Sequence, residues 1–545
     1  ATLTVEDNVV EGYQQFSMYV QYPYLDADGP FGGTATVARN TIRDGMLYGL
    51  YVQGLDQVTF TDNEVNGLQW SGEQPQANTY DSGMAVGLFD IVDLQMSGNV
   101  IHDIDVLGFF IQDSEFTSVD DEVYDTRLWA GYIGGSAGTF TNLYAHDTFI
   151  YGIDARTSAI DYVGCTFENA QAGVLPEDWE EVDQWETGGM AIQYTDSQGS
   201  VTDSTLTGSD YYGVYITESA VTVAGSDLSD NYAGVFARGD SATGFPIYVE
   251  DNHFGDHSWT AVYGYTSDAV FSGNTFDGLS GSALYGSTYY GTVSGNTFNN
   301  AGTAIQLYAT DVSLMTATAT YEDNEFNGNA TGFSVSAYAG DLVISDNTFD
   351  GVATPMSLSG STPGDETLVA DDNSFLGATS TPIAISSWGD VSIGGTTTID
   401  SCQAGPAIQL SGVLASSVEG VDVAGAAGSG IRVLGSGADN TAEIVGCDLS
   451  GAGENGLEID GTSGAILLNV ADNVAISSNT GHGIWLAGTV TGDISGNTFE
   501  GNGGYGLACA AAGVSIADCS GNTFTDNALG EVLEENGCSL AACLP

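Results

Sequence analysis

Apolar and polar residues alternate over stretches of three to five positions along the whole chain, and Gly, Asn and Asp stand between the stretches. Alternation of period two, broken by turn residues, predicts short β-strands joined by tight turns. The pattern repeats. The string SGNTF occurs at Ser272–Phe276, Ser294–Phe298 and Ser495–Phe499, with relatives at Asp346–Phe349, Asp372–Phe375 and Gly521–Phe524. Its Asn recurs at Asn252, Asn274, Asn296, Asn324, Asn347 and Asn373, spaced 22, 22, 28, 23 and 26. It returns at Asn473, Asn497 and Asn522, and the 100 residues before Asn473 fit four turns, with Thr397, Val421 and Cys447 in the Asn slot. Upstream the slot reads Asn8, Asn40, Asn63, Asn99, Asn142, Cys165, Ser204 and Ser226, less evenly spaced.

A second element, Gly-apolar-x-apolar, sits partway round each repeat, as in Gly49-Leu50-Tyr51-Val52, Gly213-Val214-Tyr215-Ile216 and Gly483-Ile484-Trp485-Leu486. A unit of this size with two or three short strands cannot close a core alone and must stack on its neighbours, which makes the chain a solenoid. About 21 rungs at a strand separation of ~4.8 Å predict a rod on the order of 100 Å long. On these repeats the chain resembles the right-handed parallel β-helix proteins of the pectate-lyase-like superfamily. The resemblance implies an all-β, right-handed parallel β-helix, and breaks in the period add inserted loops in the N-terminal half. It does not select a function, because this fold carries lyases, hydrolases, epimerases, adhesins and phage spikes. The repeated Asn tolerates left-handed dihedrals, and its amide can bond adjacent turns as a ladder. Phe276, Phe298, Phe326, Phe349 and Phe375 are expected to stack inside the bore.

Decoration divides the chain. Of 27 Tyr, 26 lie at or before Tyr338. The reading is a Tyr-rich part over 1–340, a plain Ala/Ser/Gly-rich part of the same helix over 341–529, and a Cys-containing cap over 530–545 with a helix-like stretch at Glu531–Glu535. The middle residue of the Gly-apolar-x-apolar strand points outward. That column holds Tyr51, Phe110, Tyr215, Phe236, Tyr263 and Tyr285, and an exposed aromatic strip marks a contact surface for sugar rings or protein unless loops cover it. Insertions at roughly Tyr22–Gly33, Trp70–Ser82 and Pro176–Thr187 interrupt the period in this half, and long loops on a rigid scaffold are where function concentrates.

Composition narrows the partners. The chain has 72 Asp and Glu against six Arg and no Lys, a formal charge of −66. Nucleic acid is excluded, because binding it needs cations to replace phosphate counterions. Anionic membrane surfaces are disfavoured, and no apolar run is long enough to span a bilayer. Acidic clusters at Asp26 and Asp28, at Asp120 and Asp121, and at Glu177, Asp178, Glu180, Glu181 and Asp183 suit Ca²⁺, although a solvated acidic surface accounts for each cluster taken singly. No organic cofactor is expected.

Catalysis is not demanded by any motif. Galacturonan hydrolases of this fold carry an Asp-Asp pair one turn before Gly-His-Gly and a Lys after it. Here Gly481-His482-Gly483 is preceded by Glu458, Ile459 and Asp460, and Lys is absent. His482, His102 and His146 read as structural. Cys509, Cys519, Cys538 and Cys543 crowd the last residues and fit a disulfide-stapled cap with three open connectivities. A first residue other than Met fits a processed secretory protein. Two readings follow: a secreted, acidic cell-surface structural or adhesive protein that binds itself or surface glycans, or a polysaccharide lyase or hydrolase. Strand-like Thr2-Leu3-Thr4-Val5, with no helix ahead of it, suggests an edge open to self-association.

Overall fold

The computed structural model describes residues 2–21, 32–69, 83–172, 189–309, 318–361, 364 and 366–543. It is a parallel β-solenoid of about 19 turns, near the count expected from the spacing. Contacts divide it into two compact units, Ala1–Val270 and Phe271–Pro545. The boundary drawn at 340 from Tyr content therefore falls inside the second unit.

A turn of the first unit shows how sequence becomes fold. Strands Leu107–Gln112, Glu115–Val119 and Glu122–Thr126 form one turn, and Trp129–Gly134, Ala137–Thr141 and Tyr144–Thr148 the next. All three pairs are parallel and in register, with Ile111 on Ile133, Ser118 on Phe140 and Val123 on Ala145. Each strand is short because its alternation ends at a corner. Asp113, Asp120 and Asp125 stand at the three corners with φ of 51°, 56° and 49°. Only Gly, Asn and Asp adopt such left-handed dihedrals readily. Among the described non-glycine residues with positive φ, 19 are Asp and four are Asn. Much of the acidity is corner architecture.

The inner wall is held by two devices. In the second unit the backbone N and side-chain Nδ2 of Asn296 both donate to Asn324 Oδ1 at 3.0 Å, and Asn324 does the same to Asn347 at 3.0 Å. Asn296 Nδ2 also bonds the carbonyls of Phe271 and Ser294, so every polar atom of the buried amide is used. Below the ladder, Phe276, Phe298, Phe326, Phe349 and Phe375 stack at 4.6–5.0 Å with near-parallel rings, as expected from their spacing. Thr397 accepts from the Asn373 backbone N, and Cys165 and Cys447 are buried free thiols in the slot, with burial pushing both up to about 11.

Three expectations change. The slot in the 142 rung belongs to buried Leu143, because Asn142 itself takes the left-handed corner. Asp121 occupies the slot after Asn99. The helix-like Glu531–Glu535 is instead strand Gly530–Glu534, whose Val532 pairs with Leu507 of the preceding turn. An edge offering free N–H and C=O groups outweighs local helix propensity here.

Of the three open connectivities, the disulfides are Cys509–Cys538 and Cys519–Cys543. They close loops of 29 and 24 residues around the last strands. Removing Cys509–Cys538 as the double Ala variant is expected to destabilise this terminal turn by about 2–4 kcal/mol. Hydrogen exchange should then accelerate over Gly530–Glu534 while the Phe276–Phe375 rungs keep their protection.

Candidate functional site

On the first strand of each turn in the first unit, one outward column runs in strict register from Tyr19 to Tyr263. Tyr19 stacks on Tyr51 at 4.9 Å, Phe110 on Tyr132 at 4.9 Å, and Tyr215 on Phe236 at 4.6 Å. The column has Gly87 between Tyr51 and Phe110. The ring of Phe89, two residues on, fills that gap, 4.9 Å from Tyr51 and 5.1 Å from Phe110. A Cβ at Gly87 would lie 2.9 Å from that ring, so the fill requires glycine.

This geometry alters the meaning of the strip. Rings stacked on one another spend their faces on their neighbours and leave only edges outward. Phe110 is 7% and Phe236 8% exposed, and Tyr51, Tyr215, Tyr263 and Tyr285 are half-buried. Among the described rings the open ones are the column's end, Tyr19 at 50%, and others outside it: Phe149 at 41%, Tyr248 at 40%, Phe16 and Tyr265 at 38% and Tyr232 at 37% in the first unit, and Tyr308 at 44% in the second. Tyr232 lies between Tyr211 and Trp259, 5.4 Å from each, in a second aromatic row at the turn before the strand. Arg238 sits 5.8 Å from the Tyr265 ring centroid. Tyr285 belongs to the second unit, where its column continues as Gln306, Ser334, Ser357, Ala384 and Gln409.

The first-unit column is interrupted once, by Asp154 and Gln193 between Tyr132 and Tyr215. The Asp154 side chain is fully buried and takes the Arg156 guanidinium at 2.9 Å. Gln193 donates to Thr195.

The bend between the first and second strands forms a cleft of about 700 Å³ in the first unit. Inside its wall Ser114, Ser136, Ser158, Ser197 and Ser219 make a hydroxyl ladder: Ser114 Oγ accepts from Ile91 N at 3.0 Å, and each later Oγ accepts from the backbone N of the Ser before it at 2.9–3.2 Å. This ladder escaped sequence reading, although its spacing matches that of the Asn slot. A smaller cleft of about 410 Å³ lies in the second unit beside exposed Leu467.

On the third sheet His102 and His146 sandwich Tyr124, each ring 4.8 Å from it. They lie on strands rather than in turns. His102 Nδ1 bonds Asp103 and His146 Nδ1 bonds Asp147, and that bond holds the Asp147 carboxyl below its ordinary value. His482 is structural: its Nδ1 accepts from the Tyr505 backbone N at 3.0 Å, and burial lowers its pKa.

The carboxylates proposed for Ca²⁺ do not converge where they are described. Asp121 is buried inside the wall, where Oδ1 accepts from Asn99 N and Nδ2 and Oδ2 accepts from Ser118. Asp120 faces solvent and accepts from Asn142 Nδ2. Asp26, Asp28, Glu177, Asp178, Glu180, Glu181 and Asp183 lie outside the described residues, as do nearly all of the three insertions. Among the described residues no group of three or more His, Cys, Asp or Glu is placed to hold a metal ion.

The comparisons with known proteins speak to fold. No curated protein matches the chain. Among solved structures, a surface adhesin of Streptococcus pneumoniae, PfbA, aligns over 93% of this chain and 86% of its own, at 12% identity and a TM-score of 0.17. A likeness that slight carries no argument about function. The model of the right handed beta helix region matches residues 190–349 and 383–542, more than half of the sequence, and the chain belongs to that family.

Proposed function

We propose that the chain is an extracellular adhesive or structural β-helix that meets surface glycans, or further copies of itself, through the aromatic side of its first unit. One observation carries this reading. The outward column of the first unit is built mostly of Tyr and Phe, whereas the equivalent column of the second is mostly small or polar, although both units close the same kind of apolar bore. The column rings are therefore surplus to what a bore of this kind needs, and beside them Tyr232 and Tyr265, outside the column, are open to solvent. Two disulfides favour an oxidising compartment. Among the described residues no helix is long and apolar enough to cross a membrane.

The test is retention on a panel of immobilised polysaccharides, together with sedimentation velocity across a salt and Ca²⁺ series. Ca²⁺ belongs to the proposal because charge of this magnitude opposes any contact between copies until it is screened. Tyr232→Ala with Tyr265→Ala is expected to weaken retention or association about tenfold, the loss of two aromatic contacts of about 0.5–1.5 kcal/mol each. A monomer that binds no glycan under any condition would remove the proposal. A second reading, a polysaccharide-active enzyme, draws on the Arg156–Asp154 pair set within the aromatic column. Chain-shortening of a bound polysaccharide, abolished by Asp154→Asn, would favour it.

A further inference from the structure

We infer that the cleft at the first bend of the first unit is a docking groove for an extended, lysine- or arginine-bearing peptide segment of a partner protein. This goes beyond the aromatic face and does not depend on it.

The groove exists because of the corner. A left-handed residue in each turn folds the second strand back against the first on the outside: Asp90, Asp113, Gly135, Thr157 and Asp196. All five have φ between 49° and 59°. After Asp113, Gly135, Thr157 and Asp196 the next residue points into the wall as the Ser ladder, and the one after it points out as the floor; after Asp90 these places are taken by buried Ile91 and by Val92, which is 49% exposed. Register fixes that floor as Glu115, Ala137, Ala159, Gln198 and Ala220. Its centre is thus two consecutive rungs of Gly, Thr and Ala, with carboxylates on both sides: Asp90, Asp113 and Glu115 toward one end, Asp196 toward the other. Gly244 and Phe245 join the lining at the Asp196 end.

Length and charge choose the occupant. Five rungs span about 19 Å, the reach of roughly six extended residues. The small central floor admits a main chain at close range. Among the described residues no Lys, Arg or His lines the groove. Asp113 takes a bond from Gln112 and Asp90 one from Gln53, both neutral donors that leave the negative charge uncompensated. A second copy of the chain is a poor occupant: it has no Lys, four of its six Arg (Arg39, Arg43, Arg156 and Arg432) are paired with carboxylates, and the other two, Arg127 and Arg238, lie several turns apart, too far along the chain to serve one extended segment. A segment of another protein, richer in basic residues, fits the charge better.

Any polycation is drawn to a chain of this charge, so the test separates the groove from the field. The probe is a fluorescent, acetylated and amidated seven-residue peptide alternating Lys and Ala, titrated by anisotropy at physiological salt. Ala159→Tyr fills the floor without altering charge and is expected to weaken binding at least about tenfold. Asp113→Asn and Asp196→Asn keep a residue that tolerates the corner, and together with Glu115→Gln they should weaken binding by a similar factor. The control removes three carboxylates from the second unit, as Asp400→Asn, Glu419→Gln and Asp422→Asn. Binding that falls with the groove variants and survives in the control supports the proposal. Equal losses in groove and control variants, or no loss in Ala159→Tyr with its melting curve intact, would assign the binding to diffuse charge and overturn it. An alternating Ser-Ala peptide or a neutral glycan bound as tightly at the groove would overturn it as well.

Discussion

Truncating Phe326 to Ala is expected to cost about 3–5 kcal/mol, close to the margin of a whole domain. Phe326 is fully buried, with Phe298 at 5.0 Å on one face, Phe349 at 4.6 Å on the other, and Phe333 tilted at 5.3 Å across the bore. The cavity cannot collapse readily, because each neighbouring ring is fixed by its own rung. Stacking is lost on both faces as well as area. In a solenoid each turn contacts only its neighbours, so the loss should localise around the Phe326 rung and appear first as a separate early phase in urea unfolding. A loss under about 1 kcal/mol would show that the bore repacks and that the stack is ornament.

The second large effect has the opposite sign. Replacing Asp121 by Asn is expected to stabilise the protein by roughly 3 kcal/mol at pH 8 and by almost nothing near pH 4. Burial raises the Asp121 pKa to about 6, against the pull of bonds from Ser118 and Asn99, and the charge of Asp120 adds to the rise. A carboxyl whose folded pKa lies above its unfolded value contributes full stability below the unfolded value, about 3.8. That contribution is lost as pH climbs through 6, where the folded state must hold a buried carboxylate. Asn carries no such burden, and its amide supplies the donor that every other Asn of the ladder uses on backbone carbonyls. Melting temperatures of the two proteins between pH 4 and pH 8 decide the matter. A variant less stable than the parent at pH 8 would mean that the carboxylate is held by something stronger than the bonds seen here.

Asp121 also shows where sequence reading stops. Periodicity made the Asn slot, the Phe stack and the Cys caught in the slot legible, because each depends on spacing alone. Asp121 lies 22 residues after Asn99, yet an Asp-Asp-Glu string reads more readily as a chelating cluster than as one corner and one ladder residue. Identity misled where position would have served. The aromatic column failed differently. Its register was readable, but a strand pattern places side chains only inside or outside and says nothing of ring orientation, and orientation turned an open platform into a row of edges. The Ser ladder went unseen because Ser is common and, apart from Ser114 with Phe116, its rungs carry no neighbouring Phe to mark them. Terminal pairing overrode propensity at Gly530–Glu534, an effect of neighbours that no local window contains.

The aspartate corners have one more consequence. On the third corner Asp103, Asp125 and Asp147 follow one another a turn apart, so carboxylates recur about every 4.8 Å, against 3.4 Å per phosphate along one strand of DNA. Three such carboxylates in line, on a chain whose formal charge is −66, draw cations close to the surface. The formal charge overstates what an approaching molecule feels, and a basic partner would be driven on largely by the entropy of the ions it sets free. Tenacity of binding would then be governed by the ionic medium, slackening in brine and tightening in fresh water, with no change of fold at all.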